Sequence, residues 1–115
     1  MAKRAPKKFL VTYHQPAAAV KRMQKDPAAA AESMQAWMKW AEKCGSQLVE
    51  MGAPLAGGLK LTAEGEVLPS KRRVGGYSIL QAASMAGAKR LLKGHPHLSW
   101  VKGCEIEIHE FVKMG

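Results

Sequence analysis

Short apolar runs separated by glycine and proline predict four main strands, one small hairpin and two helices. In the first strand, residues 9–13, β-branched and aromatic side chains dominate, and alternation places Phe9, Val11 and Tyr13 on one face. Pro16 ends this strand because proline cannot continue a central ladder. The other predicted strands are 47–51, the hairpin strands 59–62 and 66–68, then 77–82 and 104–109.

The longer helix is predicted over residues 27–44. Asp26 can cap its free backbone amides, Pro27 suits the first helical position, and Gly45 supplies a left-handed stop. Trp40 lies off the centre of the apolar stripe and is a candidate for contact with a partner surface. The stripe itself follows helical spacing and consists of Met34, Trp37, Met38, Ala41 and Cys44.

The second helix is predicted from Met85 to Lys93, with Ser84 as its cap and Gly94 as its stop. Residues 15–27 are interpreted as a connecting segment punctuated by two prolines. The order β-α-β-(hairpin)-β-α-β predicts the α+β class: a ferredoxin-like antiparallel sheet with two helices on one face. Apolar residues on the other face need a second subunit, which favours a homodimer in the form of a dimeric α/β barrel.

Length and charge refine this interpretation. The 115 residues suit a single domain, which we place at 8–115, after a basic tail at 1–7 that is predicted to be disordered. The net charge is +9, and the first 25 residues carry seven positive charges and no acid. Such a surface concentrates anions, whether acidic small molecules or nucleic acid, or simply keeps the protein soluble.

The sequence predicts no membrane span, no secretory signal and no metal or cofactor site. No apolar run reaches the roughly 18–20 residues of a membrane span, and the basic start lacks the apolar stretch of a secretory signal. We therefore expect a cytoplasmic protein. Cys44 and Cys104 are expected to be reduced and partly buried, and no ligand spacing predicts a metal or cofactor.

Two histidines, His95 and His97, flank Pro96 just past the predicted end of the second helix. An unperturbed imidazole titrates near ~6.5, so either ring can act as an acid or a base at neutral pH. The alternative is a helix-stop motif in which a histidine bonds backbone carbonyls. We take His95 and His97 as the candidate catalytic residues.

Four further residues are candidates for ligand binding. Tyr77 follows a glycine pair that allows close approach, and its hydroxyl can donate to an anion or carbonyl, unless the ring merely packs against a helix. His14 ends the first strand, and its side chain can face the same cavity as Tyr77 or be exposed to solvent. Lys60 and Arg73, the latter in a basic run from Lys71, can bind acidic groups or remain solvated.

The chain resembles the YCII-related (DGPF-type) proteins over about residues 8–112. The resemblance implies a ferredoxin-like subunit that forms a dimeric α+β barrel. The segments that carry it are Trp37-Met38-Lys39-Trp40 with Gly45, Gly52-Ala53-Pro54-Leu55, Gly75-Gly76-Tyr77-Ser78-Ile79, Ala83-Ser84-Met85-Ala86, His95-Pro96-His97-Leu98 and Ile106-Glu107-Ile108.

Some relatives in this family carry a catalytic dyad, a histidine on the first helix and an aspartate in the following loop. One branch is similar to dehydrochlorinases of chlorinated hydroxyquinols. The matching segments here, 32–37 and 52–58, contain no histidine and no aspartate respectively. The dyad chemistry is therefore not carried over to this chain.

Three functions remain open. The first is a small enzyme or small-molecule binder with a histidine-containing pocket for an anionic or aromatic ligand. The second is nucleic-acid binding, for which the charge is suitable and Phe9 and Tyr13 share a face on which bases can stack, unless a dimer buries it. The third is a non-catalytic dimeric interaction or regulatory module.

Overall fold

The structure is a computed structural model that describes residues 6–113, apart from the side chains at 20 and 22–24. Most of the predicted basic tail, residues 1–5, lies outside the described residues, and the first strand begins at Lys7. The elements are β1 (Lys7–His14), α1 (Ala17–Lys25), α2 (Pro27–Cys44), a 3₁₀ turn (Gly45–Gln47), β2 (Leu48–Glu50), β3 (Leu59–Leu61), β4 (Val67–Pro69), β5 (Val74–Ala82), α3 (Met85–Leu92), α4 (Pro96–Trp100) and β6 (Glu105–Glu110).

Four strands form one antiparallel sheet in the order β2-β5-β1-β6, the order of a ferredoxin-like sheet. The fold is therefore α+β, as predicted. Strands β3 and β4 pair only with each other, as the predicted hairpin. Within the described residues, no helix is both long enough and apolar enough to span a bilayer.

The core lies on one face of the sheet. Along β1, Phe9, Val11 and Tyr13 are buried, and they pack with residues of β5 and of the helices α2 and α3. Alternation directs their neighbours to the opposite side, which we name the open face. The open face carries Leu10, Thr12, His14, Tyr77, Ile79 and Glu107.

Helices α1 and α4 are absent from the prediction, and α2 differs from it only in the side that faces the core. The segment read as a connection contains α1, whose run of three alanines has high helix propensity that outweighs the proline punctuation. Helix α2 has the predicted ends: the Asp26 carboxylate accepts a hydrogen bond from the Ala29 amide, and Gly45 follows with φ 56°.

The side of α2 that faces the core is also different. Trp40 is buried rather than available to a partner, whereas Met34 and Met38 are 60% and 50% exposed. Residues 37, 40, 41 and 44 form a second stripe at helical spacing that overlaps the predicted one. The core selects this stripe because it buries both indole rings, which have the larger apolar area.

Candidate functional site

The histidine pair lies in a short helix rather than in a loop. Helix α4 begins at Pro96, so His95 caps it and His97 belongs to its first turn. Both side chains are buried, with exposed fractions of 1% and 5%. The Nδ1 atom of His95 accepts a hydrogen bond from the His97 amide at 3.0 Å, which leaves the ring proton of neutral His95 on Nε2.

Three aromatic rings enclose His95. Tyr13 stacks on it with ring centroids 5.1 Å apart, and Trp37 and Trp40 both stand edge-on at 4.4 Å. Its Nε2 atom is buried and has no hydrogen-bond partner in the part of the chain that is described. Burial, followed by the proximity of His97, lowers the pKa of His95 to about 3. The ring is therefore neutral at pH 7 and cannot act there as an acid–base group while it stays packed.

His97 connects the core to the end of β1. Its Nε2 atom donates a hydrogen bond to the backbone carbonyl of His14 at 2.8 Å. Burial lowers the pKa of His97, while its hydrogen bonds to the backbone of His14 and Glu105 oppose that shift. The physical effect of His97 is to fix the position of the His14 backbone.

A cleft of about 360 Å³ lies next to the histidine pair, lined in part by Gly94, Pro96 and Trp40. Three lysines of α2 and the α3–α4 connection also line it, but neither imidazole does. The expectation that His95 and His97 share a concavity with Tyr77 is not met. The two imidazoles lie on the core side of the sheet, and Tyr77 lies on the open face.

His14 and His109 are the histidines that the structure places on the open face, and His14 is the more enclosed of the two. The contacts of His14 involve both of its ring nitrogens. Its Nδ1 atom donates to the Arg72 carbonyl at 2.8 Å, and its Nε2 atom lies 2.9 Å from the Thr12 hydroxyl. A carboxylate oxygen of Glu107 lies 3.5 Å from that same Nε2 atom and 3.4 Å from His109 Nε2. We name Thr12, His14, Glu107 and His109 the His14 cluster.

Tyr77 extends this cluster across the sheet. It pairs with Thr12 in the β1–β5 register, and Thr12 pairs with Glu107 on the other side. The Tyr77 hydroxyl donates to Glu50, and this hydrogen bond, with smaller contributions from burial and the carboxylate charge, raises the pKa of Tyr77. A Cβ atom at Gly52 would lie 1.7 Å from the Tyr77 carbonyl oxygen, so only glycine fits beside this backbone.

The last two predicted ligand-binding residues lie in different surroundings. Arg73 has a left-handed backbone, with φ 52°, and lines a groove of about 550 Å³ at the base of the hairpin. Lys60 is in the middle of β3, between Leu59, which lines the groove, and Leu61. Alternation therefore places Lys60 on the hairpin face that turns away from the groove.

Three polar residues of this surface were not singled out from the sequence as site residues: Thr12, Glu50 and Glu107. Glu107 is an exposed residue of β6, between two half-buried isoleucines. Their proximity to His14 and Tyr77 depends on the register between strands, which one sequence does not contain. Within residues 6–113, no group of three or more His, Cys, Asp or Glu side chains has the arrangement of a metal site.

The aromatic pair considered for base stacking is also on the core side. Phe9 and Tyr13 are 0% and 2% exposed. The open face therefore lacks both rings on which the nucleic-acid hypothesis relied.

Comparison with known proteins agrees with the resemblance noted in the sequence. The family model of the YCII-related domain matches residues 9–112, nearly the whole chain. No curated protein matches the chain.

Proposed function

The chain belongs to the YCII-related family, and from this premise we propose that it is a small enzyme or small-molecule-binding protein. Its site is the His14 cluster with Tyr77 on the open face, and its ligand is anionic or aromatic. One observation carries the proposal. His14 is held at both ring nitrogens, by Arg72 and Thr12, with the Glu107 carboxylate beside it.

This arrangement suits proton transfer. Imidazole is the side chain that changes charge between pH 5 and 8, and a fixed orientation makes such a group effective. The Arg72 carbonyl selects the tautomer of His14 with its proton on Nδ1, so that the lone pair of Nε2 accepts a hydrogen bond from the Thr12 hydroxyl and is the position at which a proton can be taken up. The Glu107 carboxylate lies 3.5 Å from that nitrogen, and Tyr77 offers a second polar group across the sheet.

In this proposal His95 and His97 are positioning residues. His95 orders the first turn of α4 through the His97 amide, and His97 holds the carbonyl of His14. Neither ring reaches solvent, so neither touches a ligand unless the core opens.

We further propose a homodimer in which two open faces pack against each other as a dimeric α/β barrel. Leu10 and Ile79, both half-buried, oppose each other at the centre of the open face, and a second copy would cover them. The radius of gyration, 16.1 Å, exceeds the roughly 13 Å of a compact chain of this length. A second copy would shield the His14 cluster from bulk water.

Replacing Ile79 with aspartate is expected to convert the dimer to a monomer, because it buries an unpaired charge between the two faces. Sedimentation velocity at micromolar concentration measures the change. Met34→Asp, on the exposed side of α2, is the matched control and should leave the dimer intact. A wild-type protein that sediments as a monomer would contradict this assembly.

Replacing His14 with glutamine is expected to weaken binding of 4-phenylbutyrate, an anionic aromatic probe, at least tenfold. Glutamine retains hydrogen bonding but cannot take up a proton. Isothermal titration calorimetry measures the affinity of each variant, and in the wild type the ¹⁵N-histidine side-chain NMR signals of His14 should shift as the probe is added. Lys89→Gln, at an exposed position of α3, is the control, with an expected change below threefold. His14 signals that stay unchanged at saturating probe would overturn the proposed site.

A further inference from the structure

We propose that the groove beside Arg73 binds the acidic group of the ligand, a carboxylate or phosphate attached to an apolar body. We name it the Arg73 groove; its walls are Leu55, Leu59, Ser70, Arg73, Val74 and the small residues 56–58. The inference rests on the proposed function, which places the reacting end of the ligand at the His14 cluster. It adds the class of ligand and the residue that recognises its charge.

The groove adjoins the His14 cluster. Val74, in its wall, pairs with His14 across the β1–β5 ladder, at the register shift that follows Tyr13. The Arg72 carbonyl, which accepts a hydrogen bond from His14 Nδ1 at 2.8 Å, directly precedes Arg73 in the chain. The groove and the His14 ring therefore adjoin the same turn, where one ligand can reach both.

The polar groups of the groove are donors without acceptors. The Ser70 hydroxyl oxygen accepts a hydrogen bond from the Arg72 amide at 3.3 Å, and its own proton has no acceptor among the described residues. The Arg73 guanidinium forms no ion pair within residues 6–113, and no acidic residue lines the groove. A guanidinium and a hydroxyl that share one groove match the oxygens of a carboxylate or phosphate.

The remaining walls are apolar or small. Leu55, Leu59 and Val74 supply hydrocarbon surface, and the segment 56–58 contains only alanine and glycine. A volume of about 550 Å³ is within the range of small-molecule sites, which combine apolar walls with a few polar groups. A ligand with an acidic head and an apolar body therefore fits better than a sugar or a free ion.

The backbone of Arg73 is also fixed in place. Its backbone is left-handed, a conformation that costs an arginine energy but a glycine little. The turn is held because two successive carbonyls, of Arg72 and Arg73, accept hydrogen bonds from the His14 ring and the Gln15 amide. The hydrogen bond from the His14 ring therefore holds the backbone next to Arg73 beside the imidazole of the cluster.

This conformation provides a variant that separates binding from folding. Arg73→Gly removes the guanidinium and retains the backbone, so its melting temperature should equal or exceed that of the wild type. We expect it to bind 4-phenylbutyrate at least tenfold more weakly in the same calorimetric titration. Lys71→Gln, which lowers the charge of the neighbouring loop, should change the affinity less than twofold. The neutral 4-phenylbutyramide should bind the wild type at least tenfold more weakly than the acid.

The outcomes distinguish the two proposals. If Arg73→Gly binds the acid as tightly as the wild type while His14 signals still shift, the groove is overturned and the proposed function stands. If Arg73→Gly loses binding but His14 signals never respond, the groove stands and the proposed function fails. If Lys71→Gln weakens binding as much as Arg73→Gly, the effect is one of net charge, and the groove is overturned.

Discussion

Replacing Trp40 with alanine is expected to lower the free energy of unfolding by about 3–5 kcal/mol, as is typical for a buried tryptophan. Trp40 is 5% exposed, its ring stands 4.4 Å from His95, and its indole nitrogen donates to the Leu91 carbonyl at 2.8 Å. Removal of the ring leaves a cavity between α2 and the histidine pair. Urea unfolding at pH 7, followed by circular dichroism, measures the change.

Two other variants test which face of α2 packs against the core. Trp40→Phe keeps most of the apolar volume and loses the hydrogen bond to Leu91, so it should cost less than Trp40→Ala. Met38→Ala, at a position that is 50% exposed, should cost less than about 1 kcal/mol. If Met38→Ala proved as destabilising as Trp40→Ala, the stripe predicted from the sequence would face the core after all, and the packing described here would be wrong.

The ambiguity of α2 illustrates what a single sequence leaves open. Local chemistry determines where the helix begins and ends, through the carboxylate of Asp26 and the left-handed Gly45, and the sequence predicts both ends correctly. The rotation of the helix about its own axis depends instead on the residues of other elements that pack against it. Two apolar stripes overlap in the sequence, and only the packing against Tyr13 and His95 selects between them.

The candidate site could be predicted only in part, for a related reason. Tyr77 and His14 are both on the open face, but Tyr77 and the histidine pair lie on opposite sides of the sheet. Thr12 and Glu107 become neighbours of His14 only because β1 and β6 pair in one register. In the sequence each of them is an ordinary polar residue of a half-exposed strand.

The histidine pair was predicted to be accessible, whereas the fold buries it. Its spacing around Pro96 suggested accessible acid–base groups, because polar side chains after a helix are usually exposed. In the fold, His95 is instead the cap of α4, and the aromatic rings of β1 and α2 close over it. An imidazole can serve as a neutral core residue when one nitrogen is satisfied, as Nδ1 is here.

That role predicts a strong loss of stability in acid. In the unfolded chain His95 takes up its proton near pH 6.5, whereas in the folded protein burial lowers its pKa to about 3. As the pH falls below 6.5, the unfolded chain binds this proton and the folded protein does not. The free energy of unfolding therefore decreases until about pH 3, where the folded protein is protonated as well. Because the slope approaches ~1.4 kcal/mol per pH unit only below the unfolded pKa, His95 alone should cost about 2 kcal/mol between pH 6.5 and 4.5.

His95→Asn tests this assignment, since the asparagine oxygen can still cap α4 but the side chain does not titrate. We expect it to be less stable than the wild type at pH 7, because the ring is lost, and to lose much less further stability between pH 6.5 and 4.5. His109→Asn, at the exposed edge of the sheet, should retain the wild-type pH dependence. Urea unfolding at closely spaced pH values gives all three curves. If His95→Asn and the wild type lost the same free energy over this range, His95 would be protonated in the fold, and the neutral ring enclosed by Tyr13, Trp37 and Trp40 would be excluded.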